Sequence, residues 1–409
     1  MKALPWCLSL VGNTMNGSNL GERMVAVSFG DVMRRLMAER GVSLRALARQ
    51  VPCNAGYLSK VSRDLKRPSE DVAARLDDIL GAGGALLAAH APAPVPDSDP
   101  DAARLLYVER HPMRIDAVVV DGLAATLASQ RRLEDVVGSA AVVEAAAAHL
   151  GIVLRLLRDA RGPQARRLAA VASEASQFNG WLNTSIGAHD KAGPLYDQAL
   201  RLGMQAGDED LAATALSMRG HLAWAIGEYG TMAGLSEAAA GMAAAVGTRT
   251  VATQQHGRAL ALLGEREAAL RAIGEAEEMF ACGQGGQDDP DGLYFYGAEL
   301  LTMQRGLILA YLGEHQVAAD VIDTGLARLP EAIRDSGWIA WYRAHGARAR
   351  AAAGEVDAAA AALLKTLPVV DATGSVKARA EIVSAWRQMA RRWPGRSCVV
   401  ELGEALRRR

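Results

Sequence analysis

Apolar residues recur at helical spacing over most of this chain, and two short segments near the N-terminus are the most informative. The first runs from Ser43 to Val51 and the second begins at Asn54, with Pro52 and Cys53 between them. Ser43 and Asn54 each carry a side-chain oxygen that can cap a helix. The apolar positions are Leu44, Leu47, Ala48 and Val51 in the first segment and Tyr57, Leu58 and Val61 in the second. The pattern predicts two short amphipathic helices joined by a tight turn.

The exposed face predicted for the second helix is small and polar. Its residues are Ala55, Gly56, Ser59, Lys60 and Arg63. In a helix-turn-helix the second helix enters the major groove of DNA and its N-terminal residues meet the base edges, which a bulky apolar face would prevent. The two helices therefore predict a DNA-binding helix-turn-helix.

Basic residues are concentrated in the same region. Between Arg34 and Arg67 there are nine Lys or Arg against two acidic residues, a local balance of +7 in a chain whose formal charge is −1. The nine are Arg34, Arg35, Arg40, Arg45, Arg49, Lys60, Arg63, Lys66 and Arg67. Cations that contact phosphates release counterions and supply affinity for DNA. The alternative is a helical bundle whose cations only solvate its surface; the coincidence of charge, turn and small residues favours DNA binding.

The segments Leu47–Val51, Tyr57–Val61 and Arg67–Ser69 resemble the Cro/repressor-type (xenobiotic-response-element) helix-turn-helix family of bacterial regulators, over about sixty residues. The resemblance implies a five-helix domain over 29–89. Its implied core is Val32, Leu36, Leu44, Leu47, Ala48, Val51, Leu58, Val61, Val72, Leu76, Ile79 and Leu80.

The resemblance also implies which residues meet DNA. Bases would be read by Ala55, Gly56 and Lys60, while Ser43 would touch phosphate. The full predicted DNA-binding set is Ser43, Arg45, Asn54, Ala55, Gly56, Ser59, Lys60, Arg63, Lys66 and Arg67.

Two positions depart from the family's pattern. Pro52 stands where the turn usually carries Gly, and Ser62 stands where an acidic residue is frequent. Proline fixes φ near −65° and cannot take the left-handed conformation of a turn glycine, so the turn is built differently. Because Ala55 and Gly56 offer few hydrogen bonds, we expect specificity from Lys60 on a guanine edge, methyl contacts of Ala55 and DNA shape.

Composition is that of an ordinary soluble protein with two or three domains. The chain has 409 residues, 50% of them hydrophobic, 22% charged and 5% aromatic. The four cysteines are widely separated, which predicts neither a zinc site nor a disulfide framework and favours a reducing cytoplasm. No stretch approaches about 18 uninterrupted apolar residues, so we expect no membrane association.

The first residues fit no periodic template, and we expect 1–28 to be a disordered extension. Gly21, Glu22 and Arg23 can be encoded by a purine-rich run like a ribosome-binding site. Either Met1 or Met24 is therefore the start of the natural protein, and an intact mass would decide between them.

A Pro-rich acidic linker is predicted over 90–101, followed by a helical connecting region over 102–165. Beyond it, a glycine between two helical patterns, followed by polar and then Ala-rich sequence, recurs at spacings of 40, 37, 49 and 41 residues. These glycines are Gly187, Gly227, Gly264, Gly313 and Gly354. The pattern resembles tetratricopeptide repeats with lengthened helices, and predicts repeats over 166–393 and a basic tail over 394–409.

The block Gln177–Leu182 resembles the actinobacterial regulators that join this helix-turn-helix to tetratricopeptide repeats. The predicted fold is therefore all-α, with an N-terminal five-helix helix-turn-helix domain followed by a tetratricopeptide-like helical-hairpin solenoid.

Catalytic and metal-binding patterns are missing from the sequence. The eight histidines show no H-x-x-x-H or H-E-x-x-H spacing, and there is no Walker motif and no G-x-S-x-G elbow. We expect no enzyme activity, no cofactor and no metal site.

Two aromatic clusters allow two interpretations. Tyr294 and Tyr296, with Trp338, Trp341 and Tyr342 one repeat later, could line a groove for a peptide or partner helix. The favoured interpretation is that they pack between repeats.

Together these patterns predict a cytoplasmic transcriptional regulator that binds double-stranded DNA as a homodimer, because one recognition helix buries too little surface to select a genomic site. The repeats would supply the dimer surface, an effector site or both. Two alternatives stay open: a peptide-responsive regulator with its ligand in the repeat groove, and an interaction scaffold with a degenerate helix-turn-helix.

Overall fold

The protein is described here by a computed structural model. The structure describes residues 28–51, 53–90, 104, 107–108, 115–283, 291–293 and 295–408. The chain divides into two compact units, Met1–Ala103 and Arg104–Arg409, and each is described by itself. Most of the predicted extension and linker, with the choice of start codon, lies outside the described residues. The described part of the chain is all-helical and contains no strand.

Within its described residues the N-terminal unit has five helices: α1 (Phe29–Arg40), α2 (Leu44–Ala48), α3 (Ala55–Val61), α4 (Glu70–Ile79) and α5 (Ala85–His90). Side-chain oxygens of Ser28, Ser43 and Asn54 accept backbone N–H groups at the starts of α1, α2 and α3. Each cap satisfies an amide that has no partner within its helix.

All twelve predicted core residues of this unit belong to one hydrophobic cluster. The sequence pattern missed Phe29, Met33, Ala73 and Leu86, which are also buried there. Because Leu86 lies on α5, this helix packs against the core of the unit and covers one side of it.

A close approach fixes the start of α1 against the loop that follows α3. The Asp64 carboxylate accepts hydrogen bonds from the Gly30 amide at 2.8 Å and the Ser28 hydroxyl at 2.6 Å. A Cβ atom on Gly30 would lie 2.5 Å from Asp64 Oδ2 and 2.7 Å from the backbone oxygen of Ser62, which cannot move aside as a side chain can, so this position requires glycine. Asp64 itself has a φ of 56°, a left-handed conformation that Asp tolerates better than most residues.

The second unit consists of stacked helices. They are α6 (Ala117–Val137), α7 (Ser139–Asp159), α8 (Pro163–Ser185), α9 (His189–Ala206), α10 (Glu209–Ala225), α11 (Tyr229–Met242), α12 (Val246–Leu262), α13 (Arg266–Cys282), α14 (Ala298–Tyr311), α15 (His315–Arg328), α16 (Gly337–Ala353), α17 (Val356–Thr373), α18 (Val376–Arg392) and α19 (Ser397–Arg407). Short 3-10 turns occupy Asp291–Leu293 and Glu331–Ile333.

Each predicted repeat glycine lies in the turn of a helical hairpin. All five have positive φ, from 82° to 101°, which residues with a Cβ atom rarely adopt. Consecutive helices pack together, and several also contact the helix two positions further along the chain, such as α8 with α10 and α12 with α14. The array is a tetratricopeptide-like helical-hairpin solenoid, in which each hairpin buries its apolar face against its neighbours.

Helix α7 is long and apolar enough to cross a membrane by length and composition, with a mean hydropathy of 1.8. The sequence pattern did not single out this helix, because polar residues interrupt its apolar run and only its average hydropathy is high. Val142, Val153 and Leu156 of α7 are buried in hydrophobic clusters with α6 and α8, and 39% of its most apolar window is buried.

The predicted basic tail is instead a packed helix. Ser397–Arg407 forms α19, and its Val399 and Leu402 are buried in the cluster that contains α17 and α18. The prediction of a basic tail rested on the terminal arginines. The apolar residues that precede them pack into the core and make the segment a helix.

Early and late helices of the solenoid meet. Helix α6 contacts α16 and α17, and the Trp338 indole donates to Asp135 Oδ1 at 3.1 Å across 203 residues of sequence. Gly138, with a φ of 83°, lies against the carbonyl of Thr373, where a Cβ atom would collide. The first helices of the array and helices from its last hairpins therefore border one inner surface.

Candidate functional site

The predicted recognition face lies at the surface of the N-terminal unit. Asn54 Oδ1 accepts from the Tyr57 amide at 2.7 Å and Ser43 Oγ accepts from the Ala46 amide at 3.2 Å. The capping roles predicted for Ser43 and Asn54 are therefore confirmed, while their contacts with DNA stay predictions.

On α3, Gly56 and Lys60 are exposed and Ala55 and Ser59 are half-buried. A Cβ atom on Gly56 would find only the Asn54 side chain within 4 Å, at 3.4 Å. The start of α3 therefore presents low relief and open space, which suits close approach to a groove. Pro52, the residue expected to reshape the turn before α3, lies outside the described residues.

The nine cations do not form one free surface. Arg34 pairs with Asp31 and donates to the carbonyl of Ser62, and Arg40 donates to the carbonyl of Gly81 at 3.1 Å. These two guanidinium groups hold α1 to the rest of the unit. The local charge of +7 therefore overstates what is available to DNA.

Two predicted DNA-binding cations that follow α3 also have partners within the chain. Arg63 Nε donates to the carbonyl of Ser59 at 3.1 Å, and Lys66 Nζ lies 5.1 Å from the centre of the Tyr57 ring. Both contacts are exposed and leave other donors free.

Arg67 donates to the backbone carbonyl of His90 at the end of α5. Arg45, Arg49 and Lys60 are exposed, and their side chains form no hydrogen bond or ion pair within the described part of the chain. Arg45 on α2, Arg49 at its C-terminal end and Lys60 on α3 are therefore the cations most readily offered to a ligand.

A second site lies on the inner surface of the repeat unit, where a cavity of about 180 Å³ opens between early and late hairpins. Its aromatic lining residues are Phe178, Trp181, Phe295, Tyr296, Trp338, Trp341 and Tyr342. Four of the five predicted groove residues therefore line one cavity, and the fifth, Tyr294, lies outside the described residues.

The aromatic rings also pack against each other. Trp341 and Tyr342 are only 7% and 6% exposed, and their ring centres are 5.0 Å apart at nearly a right angle. Trp338 lies 6.3 Å from Tyr342 in the same edge-to-face arrangement. The two predicted interpretations thus describe the same residues, which fill the space between repeats and also form the cavity wall.

Glutamine side chains supply uncharged polar groups to the lining. Gln254 donates to Gln304 at 2.8 Å, and Gln304 donates to the Tyr342 hydroxyl at 2.6 Å. This chain orients three groups of the wall. Asn179, in contrast, is buried and donates to the carbonyls of Ala146 and Ala175.

A cationic cluster forms one part of the cavity. Arg258 Nη2 lies 3.2 Å from His221 Nδ1, and Lys377 Nζ lies 3.1 Å from His221 Nε2. Burial, together with the two cations, holds the pKa of His221 well below its usual value, so the ring is neutral. Burial followed by repulsion from Arg258 lowers the pKa of Lys377 to about 7.

The neutral imidazole constrains its two neighbours. A neutral histidine has one nitrogen that accepts and one that donates. Arg258 can only donate, so His221 Nδ1 must be the accepting nitrogen. His221 Nε2 then carries the hydrogen, which points toward Lys377 Nζ. That contact suits an uncharged amine at Lys377, in agreement with its lowered pKa.

An acidic group lies elsewhere on the wall. Ser139 donates to the buried Glu134 carboxylate at 2.5 Å, and burial raises the pKa of Glu134 to about 6. Nearby, Arg131 is neutralised by Glu174 at 2.8 Å. The lining therefore combines aromatic surface with separate cationic and acidic parts.

Residues 28–89 match the family model of the helix-turn-helix domain. The N-terminal unit is a helix-turn-helix domain. The match covers the five helices α1 to α5 and the exposed face of α3, and it supports a DNA-binding regulator.

No curated protein matches the chain. Among solved structures, the chain is similar to PlcR of Bacillus thuringiensis, solved with the peptide PapR7 and DNA, at 13% identity and a TM-score of 0.28 over 74% of this chain and 95% of that one. It is also similar to a Rap protein complexed with competence and sporulation factor, at 12% identity and a TM-score of 0.43 over 85% of this chain and 96% of that one. Similarity at this level carries no argument about function.

No group of three or more His, Cys, Asp or Glu side chains within the described ranges is arranged to hold a metal ion. The sequence did not identify His221, Arg258 and Lys377 as a cluster, since 37 residues separate the first two and 156 separate the first and last. The one feature of the sequence that could have singled out Lys377 is the rarity of lysine, which occurs only six times in the chain.

Proposed function

We propose that the protein is a cytoplasmic, sequence-specific DNA-binding transcriptional regulator. In this proposal the helical-repeat unit dimerises the protein, senses an effector, or does both. The helix-turn-helix match over 28–89 carries the proposal, because this domain class places its second helix in the major groove.

The surface of the domain supports the same proposal. Gly56 and Lys60 are exposed at α3, and Arg45 is exposed on α2 without an internal partner. Groove contact needs low relief at the recognition helix, and phosphate contact needs free cations. The chain provides both on neighbouring helices.

The deciding experiment is selection of genomic DNA fragments by the purified full-length protein at two salt concentrations. The proposal predicts enrichment of a paired half-site, with affinity that falls as salt rises because phosphate contacts release counterions. Folded protein that selects no fragment, with or without added ligand, would support the interaction scaffold with a degenerate helix-turn-helix.

A second candidate is a peptide-responsive regulator. The aromatic-lined cavity on the inner face of the repeats favours it, since amphipathic segments use such grooves. A ligand in this cavity changes DNA binding only if it binds more tightly to one arrangement of the dimer's two helix-turn-helix domains than to another. Fragment selection repeated with and without a random peptide pool tests this candidate, which requires a peptide-dependent change in enrichment.

A further inference from the structure

Arg258 and Lys377 are not explained by DNA binding or by packing alone. Arg258 is 2% exposed, and its Nε has no acceptor within the described part of the chain. Neither cation forms an ion pair with a carboxylate among the described residues. Because charges removed from water are ordinarily paired, this cluster has cationic charge and no counter-charge.

The surrounding rings compensate only part of this cost. Lys377 Nζ lies 4.3 Å from the ring centre of Trp224, 5.4 Å from that of Trp341 and 5.8 Å from that of Trp181. Below about pH 7, where the Lys377 amine is protonated, these cation–π contacts stabilise its charge but supply no hydrogen-bond acceptor for its three N–H groups.

The second cation depends on the same ring. The Arg258 guanidinium lies 4.9 Å from the centre of the Trp224 ring, and among the residues that the structure describes its one hydrogen-bond partner is the neutral His221. An acceptor that carries negative charge would satisfy both cations together.

We propose that this cavity binds an organic carboxylate with an aromatic or apolar body. The carboxylate accepts hydrogen bonds from Arg258 and Lys377, and the body lies against the indole rings of Trp181 and Trp341. A planar guanidinium recognises a carboxylate through two parallel hydrogen bonds, and an ammonium adds a third donor.

The size of the cavity limits the ligand. An apolar cavity of about 150 Å³ in another protein admits benzene, and this one has about 180 Å³. A single aromatic ring with a short acidic arm therefore fits. The same chemistry is offered by a free aromatic acid and by the C-terminal residue of a peptide.

Ligand binding would join distant parts of the solenoid. Arg258 belongs to α12, Lys377 to α18 and their shared partner His221 to α10. A carboxylate held by both cations replaces repulsion between them with attraction to one anion. The contact between early and late hairpins would become tighter in the bound state. This inference specifies the effector-sensing part of the proposed function.

The test uses the full-length protein and pairs of acids with their neutral amides. Phenylacetate and phenylacetamide represent the free acid, and Gly-Gly-Phe with its C-terminal amide represents a peptide end. Binding is followed at pH 6.5 and constant ionic strength by tryptophan fluorescence and by calorimetry. We expect an acid to bind at least about tenfold more tightly than its amide, because charge-assisted hydrogen bonds are lost in the amide.

The acid–amide comparison on the unmodified protein decides the proposal without any variant. Saturable binding by phenylacetate identifies a free acid as sufficient, whereas saturation by the tripeptide acid alone identifies a peptide end. Equal affinity of acid and amide, or no saturation by either acid up to 10 mM in this assay, would overturn the proposal. Because no DNA is present, this failure leaves the fragment selection and the proposed regulator unaffected.

Substitutions then locate the site. Lys377→Met should weaken acid binding at least about tenfold and leave amide binding unchanged, because it removes charge and keeps apolar volume. Lys365→Met on the exposed face of α17 is the matched control and should bind as the unmodified protein does. Unchanged acid affinity in a folded Lys377→Met protein would contradict the assignment, and circular dichroism verifies folding.

Discussion

Lys60 and Arg67 illustrate how residues of one predicted DNA-binding set differ at the level of single contacts. Lys60 is exposed on α3 without an internal partner, whereas Arg67 already donates to the carbonyl of His90. We predict that the first reads a base and that the second contacts a phosphate. Substitution separates the two roles.

Lys60→Ala should reduce the preference for one base position by about 1–3 kcal/mol, whereas Arg67→Ala should weaken all duplexes similarly and reduce the salt slope by about one. The measurement is titration of each variant with the selected site, with single-base variants of that site and with random DNA, at several salt concentrations. Equal effects of both substitutions on specific and random DNA would show that Lys60 reads no base.

The lowered pKa of Lys377 predicts a pH dependence of stability. The pKa is about 7 in the folded protein against an ordinary 10.5, so between pH 7 and 9 the unfolded chain binds more protons. Stability should therefore rise with pH over this window, by at most about 1.4 kcal/mol per unit. The facing His221 and His345 remain neutral over this window, because burial holds both histidine pKa values well below 6.5. Arg258 stays charged, because a guanidinium does not lose its proton near neutral pH.

Thermal unfolding at pH 7, 8 and 9 measures this effect. The melting temperature of the unmodified protein and of Lys365→Met should rise over the window, and that of Lys377→Met should rise less. A parallel rise in all three proteins would place the titration elsewhere.

At the scale of helices, close backbone approaches decide which glycines are required. On α9, a Cβ atom at Gly203 would lie 2.8 Å from the Ala212 amide nitrogen of α10. Gly274, inside α13, has no atom within 4 Å of the same position. Sequence alone gives both the same expectation, since each is a glycine inside a helical pattern.

Gly203→Ala should destabilise the repeat unit by about 1–3 kcal/mol, because α9 and α10 must move apart to admit the methyl group. Gly274→Ala should instead stabilise it by up to about 1 kcal/mol, because alanine is the better helix former. Chemical denaturation of both variants gives the comparison. A stabilising Gly203→Ala would mean that the hairpin adjusts without cost.

Asp77 shows a second helix-level dependence. Its buried carboxylate accepts from the amides of Gly84 at 2.7 Å and Leu86 at 2.8 Å, and so caps α5 from α4. Asp77→Ala should destabilise the helix-turn-helix domain by about 1.5–3 kcal/mol, because buried amides lose a charged acceptor. The exposed neighbour Asp78→Ala is the control and should change stability by under about 0.5 kcal/mol. Thermal melts of both variants check this; equal melting temperatures would contradict the capping role.

At the scale of the whole molecule, the proposed regulator needs two helix-turn-helix domains, one from each copy of a dimer. A single recognition helix contacts too few base pairs to select a site in a genome, and a dimer doubles the contacts. Light scattering should therefore give twice the chain mass of 43.1 kDa, and the selected half-sites should lie about 10 base pairs apart or a multiple of that. A monomer that selects one unpaired site would refute the dimer and leave DNA reading intact.

The sequence by itself determined the local features of the fold. Capping side chains at Ser43 and Asn54, helical periodicity and the five repeat glycines each act through neighbours a few residues away, so their pattern predicts helices, turns and hairpins directly. The all-α class, the helix-turn-helix and the hairpin solenoid follow from these signals. The DNA-contacting set belongs to the same level and stays a prediction.

Only the tertiary structure decided where distant residues meet. Small rotations between successive hairpins accumulate until α6 reaches α16 and α17, and no local pattern encodes that sum. The meeting of His221, Arg258 and Lys377, the burial of α19 and the use of Arg34 to hold α1 all depend on this packing. Periodicity shows which face of a helix is apolar, whereas the partner of that face is set by the geometry of the whole array.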